Sequence, residues 1–175
     1  MTLQSTKPHA RRARRTVFAV ALSLLATHIY GQQGAEAAST PFAGLSGSWS
    51  GGGTVTLSDG ANERIRCRAM YVVGNGGNQL QQNLRCASDS FTFELRSDVN
   101  HQAGQISGMW SELTRNVGGN VSGRASSGKI QALVSGPVFA ASLALTMQGD
   151  RQSVLIRSDG ATVTQVSITL NRTSR

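Results

Sequence analysis

From Gly47 onward the chain alternates apolar and polar residues in short runs, with Gly, Asn, Asp and Ser punctuating it about every ten residues. Alternation with a period of two puts one set of side chains on each face of a strand, so the pattern predicts an all-β domain. Strands are expected near Gly47 to Leu57, Glu63 to Val73, Gln79 to Cys86, Phe91 to Ser97, Gln105 to Leu113, Val121 to Ala125, Lys129 to Val134, Phe139 to Met147, Ser153 to Arg157 and Thr162 to Leu170. The connectors are hairpin-like: Ser58-Asp59-Gly60-Ala61 and its twin Ser158-Asp159-Gly160-Ala161, Asn75-Gly76-Gly77-Asn78, Ser88-Asp89-Ser90 and Gly118-Gly119-Asn120. None is long enough for a crossover helix, so consecutive strands are antiparallel neighbours. An open sheet of that many strands would expose two edges. Closing it into an up-and-down barrel of 8–10 strands removes them. Pro41 and Pro137 fall outside the predicted strands and interrupt no ladder. A β-sandwich is the competing architecture, but it needs a long connection between sheets.

The alternation also assigns faces. Ile65, Cys67, Ala69, Tyr71, Val73, Leu80, Leu84 and Cys86 share one side, continued by Phe91, Phe93 and Leu95, then Leu143, Leu145 and Met147, and finally Val166, Ile168 and Leu170. That side is the interior. Arg64, Arg66, Arg68, Arg85, Glu94 and Arg96 occupy the other and belong in water. A lipid-spanning barrel would invert this arrangement and carry aromatic girdles. The only two cysteines, Cys67 and Cys86, lie at equal distances from Gly76-Gly77. An antiparallel hairpin turning there sets them directly opposite, within reach of a disulfide. Closing that loop stabilises the fold by roughly 3 kcal/mol and implies an oxidising compartment.

The N-terminus supplies such a compartment independently. Arg11, Arg12, Arg14 and Arg15 precede an apolar run from Val17 to Ala26, and Ala35-Glu36-Ala37 offers a small-residue cleavage site. Residues 1–37 therefore read as a signal peptide, followed by a tail over 38–45 and a barrel over 46–172. The periplasm is the expected location, with Sec export the default over the twin-arginine route. The leader holds five of the 17 basic residues and one of the nine acidic ones, which lowers the formal net charge from +8 to +4. A mildly basic exported domain has little reason to meet nucleic acid, and its charge points to anionic envelope components or to simple solubility.

Gly47-Ser48-Trp49 resembles the G-x-W motif that opens the barrel in lipocalins and other calycins. The resemblance implies that Trp49 closes one barrel end beneath a basic residue from near the chain's end, a part for which Arg172 is placed. Leu45-Ser46-Gly47-Ser48-Trp49 is also similar to the opening of small periplasmic metalloprotease inhibitors. That similarity implies a mobile tail over Ala38 to Gly44 that enters a protease cleft. More broadly, the segment from Arg64 to Cys86 resembles uncharacterised small exported proteobacterial proteins, which implies no activity. Ser46-Gly47-Ser48-Trp49-Ser50 recurs as Ser107-Gly108-Met109-Trp110-Ser111, read as one local solution used twice: a glycine gives a large indole room on the next strand.

Candidate chemistry is sparse. Trp49, Tyr71, Trp110 and Phe139 are the aromatics able to line an interior cavity, although a narrow barrel can equally be filled by its own side chains. Arg64, Arg66, Arg68 and Arg85 form a candidate anion site. The hairpin register sets Arg68 opposite Arg85 and Arg64 opposite Asp89, and like charges in opposition destabilise a ladder unless something neutralises them. His101 is the only histidine beyond the leader, so no histidine-built metal centre is expected, and no cofactor. It is expected in a turn. A catalytic pairing with Asp98 would be its alternative, but no nucleophile motif accompanies it. Gly51-Gly52-Gly53 is followed by no helix, so it marks a bend or bulge rather than a phosphate loop. The reading is a soluble, non-catalytic binding module for a small apolar or anionic ligand, with protease inhibition through the tail as its alternative.

Overall fold

The computed structural model describes residues 40–90, 92–137 and 139–174. The segment expected to be a signal peptide, the first residues of the expected tail and Phe91 lie outside the described residues. Ten strands follow one another in chain order: β1 (Gly47–Leu57), β2 (Asn62–Gly74), β3 (Gln79–Ala87), β4 (Thr92–Gln102), β5 (Gln105–Glu112), β6 (Val117–Ser126), β7 (Lys129–Ser135), β8 (Ala140–Gln148), β9 (Arg151–Ser158) and β10 (Val163–Ser174). Each pairs antiparallel with the next, and β1 closes on β10, giving the expected edgeless barrel. Hairpins alternate between the two ends. The turns β2–β3, β4–β5, β6–β7 and β8–β9 share one end with the chain's entry into β1, and the other five turns share the opposite end.

The β2–β3 register places Cys67 opposite Cys86, and the sulfurs are bonded across a Cα separation of 4.1 Å. Both cysteines face inward and are 2 % and 0 % exposed. The staple therefore fixes which side of the hairpin enters the core. Ile65, Ala69, Tyr71, Leu80 and Leu84 follow it inward, while Arg64, Arg66, Arg68 and Arg85 point to solvent.

Glycines set the barrel's corners. A Cβ at Gly51 or Gly53 would lie 2.1 and 2.0 Å from the carbonyl oxygens of Thr169 and Ser167 on β10. The same crowding recurs at Gly108 against Asp98, and at Gly119 and Gly123 against Ser135 and Gln131. No side chain fits where the sheet folds inward so sharply. The two groups fall on β1 and on β5–β6, about half the barrel apart in strand order.

Of the bend or bulge expected at Gly51-Gly52-Gly53, the bulge is not made. The pairing runs through all three residues without a break, and the register shifts against β10 lie between Ser48 and Trp49 and between Thr56 and Leu57. Gly118-Gly119-Asn120, expected as a turn, belongs to β6. Gly119 is paired with Trp110, whose indole crosses it to donate a hydrogen bond to the Ser135 carbonyl at 3.0 Å. The turn sits one step earlier, at residues 113–116, because the Glu112 carboxylate gathers it. That carboxylate accepts the backbone N–H groups of Glu94, Thr114 and Arg115 and the Thr114 hydroxyl.

Candidate functional site

Near the chain's entry the barrel is sealed. Phe42, Leu45 and Trp49 are 0 %, 1 % and 1 % exposed. A short 3-10 turn, Ala43–Leu45, brings the Leu45 carbonyl over the barrel, where it accepts the Trp49 indole N–H at 2.7 Å. Arg172 is paired directly with Trp49 across β1 and β10 and sets its guanidinium carbon 4.2 Å from the indole centroid. It belongs to the last strand itself, rather than following it. The same guanidinium meets Asp150 at 2.7 Å and donates to the carbonyls of Ser46 and Gly44. One cation thus ties both chain ends to the plug, through contacts stronger than those of neutral hydrogen bonds.

The segment expected to be a mobile tail is part of this plug wherever the structure describes it. Pro41 and Phe42 are buried, and Phe42 donates its N–H to the Gly77 carbonyl at 3.3 Å. Residues 40–45 fold over the barrel end because Phe42 and Leu45 gain more by burial there than they could in water. A projecting inhibitory arm does not describe them.

Behind the plug lies a small polar cluster. Tyr71 on β2 stands edge-on to Trp49, with centroids 6.4 Å apart, and donates its hydroxyl proton to Gln152 Oε1 on β9 at 3.0 Å. Burial pushes the tyrosine pKa up to about 12, with the Gln152 bond acting in the opposite direction. Gln152 is 0 % exposed, and its side-chain nitrogen has no partner among the described residues.

His101 is also at this end, within β4 rather than in a turn. Gly104 donates its N–H to Nε2 at 3.1 Å, which leaves Nδ1 to donate to Asn78 Oδ1 at 2.8 Å. Asp98 is on the opposite face, accepting from Gln79 and Gln81. No His101–Asp98 pairing exists, and the histidine serves as a clasp between two hairpins.

The opposite end is different. Leu57, Phe93, Leu95, Val134, Phe139 and Leu143 turn toward the core yet are only partly buried. Trp110 and Phe139 pair here with centroids 5.4 Å apart. The four candidate aromatics therefore divide into two groups: Trp49 and Tyr71 belong to the plug, and Trp110 and Phe139 to the open end. Glu63 shares the inward face with Ile65, and one of its carboxylate oxygens is buried without a partner among the described residues.

The arginines line up on the outer wall. Arg68 stands opposite Arg85 as the register requires, and Arg85 in turn opposite Glu94, which lies 3.7 Å from Arg96. The expected Arg64–Asp89 opposition is not made. The β2–β3 ladder ends at Arg66 and Ala87, and Arg64 faces Thr54 of β1 instead. Sequence reasoning missed Glu112 and Gln152. Both sit at inward strand positions, where a polar residue breaks the alternation, and that break was the available signal.

No family model matches the chain, and no curated protein matches it. Solved structures do. A structure of Rv2717c from M. tuberculosis superposes with a TM-score of 0.57 at 13 % identity, covering 74 % of this chain and 93 % of that one. The S-type phycobiliprotein lyase CPES from Guillardia theta gives a TM-score of 0.55 at 11 % identity, covering 75 % and 89 %. At such identities the likeness is one of fold, a closed antiparallel barrel of the calycin type.

Proposed function

We propose that this chain is an exported, periplasmic, non-catalytic barrel that carries a small apolar ligand in its interior, admitted at the end opposite Trp49. The observation that carries the reading is a partly exposed apolar sector on the inward face of the far end. Phe93, Val134, Phe139 and Leu143 there are only partly buried, although Val55, Ile65 and Cys86 beside them are sealed, whereas Phe42, Leu45, Trp49 and Leu170 at the plug are all excluded from solvent. A concave apolar interior with one entrance is the usual form of a small-molecule site. The disulfide supports an oxidising compartment. Glu63 favours an apolar ligand over an anionic one, since a buried carboxylate oxygen repels an anionic head. The fold alone does not choose between carriage and catalysis, since similar barrels include a protein named as a lyase.

Native mass spectrometry of the protein purified without detergent tests the proposal. An additional mass is expected that disappears on denaturation, and Leu143→Trp, which fills the interior, should abolish it. A bare wild-type mass together with no uptake of the neutral probe N-phenyl-1-naphthylamine would overturn it.

A further inference from the structure

The outer wall of β2 to β5 carries a trough of about 440 Å3. Asn83, Arg96 and Asp98 stand on its floor, and its banks are Met70 and Val72 on β2 and Met109 on β5. These three bank residues are 56 %, 56 % and 67 % exposed, and they make up half of the exposed large apolar side chains among the described residues. Three strand spacings, roughly 14 Å, separate the two banks. They form two prongs, one on either side of the trough.

One row from Met70, the side chains of Arg68 and Arg85 oppose each other, and Arg66 and Arg64 continue the column. Among the described residues no carboxylate lies within ion-pair distance of these four arginines, and the nearby Glu94 is engaged with Arg96. Asp98 in the trough accepts only from the neutral Gln79 and Gln81, so on β2 to β5 five outward arginines face two outward carboxylates and the wall stays positive beside its exposed apolar side chains. A second copy of the chain would bring arginine columns against each other. Nucleic acid would meet the charge but offer no apolar phase for the methionines, and a peptide's apolar stripe would span only one bank.

We propose that this wall docks on the surface of an anionic phospholipid bilayer. Met70, Val72 and Met109 enter between headgroups, while Arg68 and Arg85 hold phosphates. The proposal concerns the outside of the barrel and stands apart from the interior site.

Sedimentation with vesicles tests it. The protein should bind vesicles containing phosphatidylglycerol at low salt, bind neutral phosphatidylcholine vesicles weakly at any salt, and lose most of its preference for the anionic vesicles at high salt. Each arginine near such a surface strengthens binding about fivefold, so R68Q/R85Q should weaken it roughly 30-fold. M70S/M109S should weaken it at every salt concentration, and Arg151→Gln on the other wall should leave it unchanged. Thermal unfolding of all variants should match wild type, which keeps folding defects apart from binding defects. Failure of wild type to bind anionic vesicles, equal binding by R68Q/R85Q, or capture of an acidic peptide by protein that ignores vesicles would overturn the proposal.

Discussion

At the plug, Trp49 is covered by Arg172 and Leu45, and the Tyr71 hydroxyl reaches across to Gln152. At the far end, Leu143 and Phe139 point inward but keep contact with solvent, beside the buried Cys67–Cys86 disulfide and a loop wound on Glu112. The two ends use the same strands and the same alternation. What separates them is what the connections contribute: a segment rich in large apolar residues folds over one end, whereas short polar hairpins border the other. Both ends are therefore anchored, one by Trp49 and Arg172 and the other by the disulfide, and what differs is that part of the far end's inward face stays accessible, as expected of a scaffold that holds a site open.

The largest way to break this contrast is at the plug. Trp49→Ala removes a buried indole together with its hydrogen bond and its stacked cation, and should destabilise the protein by about 3–5 kcal/mol. Urea unfolding followed by tyrosine fluorescence and circular dichroism measures it. A loss near 1 kcal/mol would mean that the plug is an ornament on a barrel stabilised elsewhere.

An intermediate effect belongs to the mouth and depends on pH. Burial would raise the Glu112 pKa, but the hydrogen bonds from Thr114, Glu94 and Arg115 outweigh it and hold the carboxyl at about 2, below its ordinary 4.5. The unfolded chain takes up this proton first as pH falls. The stabilisation is thus complete above about pH 4.5, shrinks as pH drops, and is gone once pH passes below the folded value. The shift corresponds to about 3 kcal/mol. Glu112→Gln should cost that much at pH 7, and the gap to wild type should close as pH approaches 2 in parallel denaturant titrations. A gap that stays constant with pH would assign the loss to shape rather than to charge.

Much of this architecture was legible in the residues. Alternation predicted all ten strands, the cysteine spacing predicted the β2–β3 register, and a tryptophan near the start with an arginine near the end predicted the stacked pair. Three features were not legible, for physical reasons. Gly118 and Gly119 look like a turn because glycine serves both turns and close packing, and only the facing Trp110 shows which use applies here. Residues 40–45 look like a tail because Phe42 and Leu45 are too few to show a period, and their burial depends on a partner surface made by distant strands. The trough on the outer wall was invisible because Met70 and Met109 lie far apart in sequence, and alternation says which face a residue takes but not which residues become neighbours across four strands.

The smallest effect, at Leu143, makes the sharpest comparison, because one kind of substitution can be made at both ends. Leu170 is 1 % exposed behind the plug, and Leu143 is an inward leucine at the mouth that stays partly exposed. Truncating a sealed leucine removes its transfer free energy and leaves a cavity, so Leu170→Ala should cost about 3 kcal/mol. At the mouth the space created opens to solvent, and part of the side chain was never withdrawn from water. Leu143→Ala should therefore cost about 1 kcal/mol while changing the uptake of an apolar probe. Equal losses at the two positions would show that the far end is packed as tightly as the plug, and the interior would then have no room for a ligand.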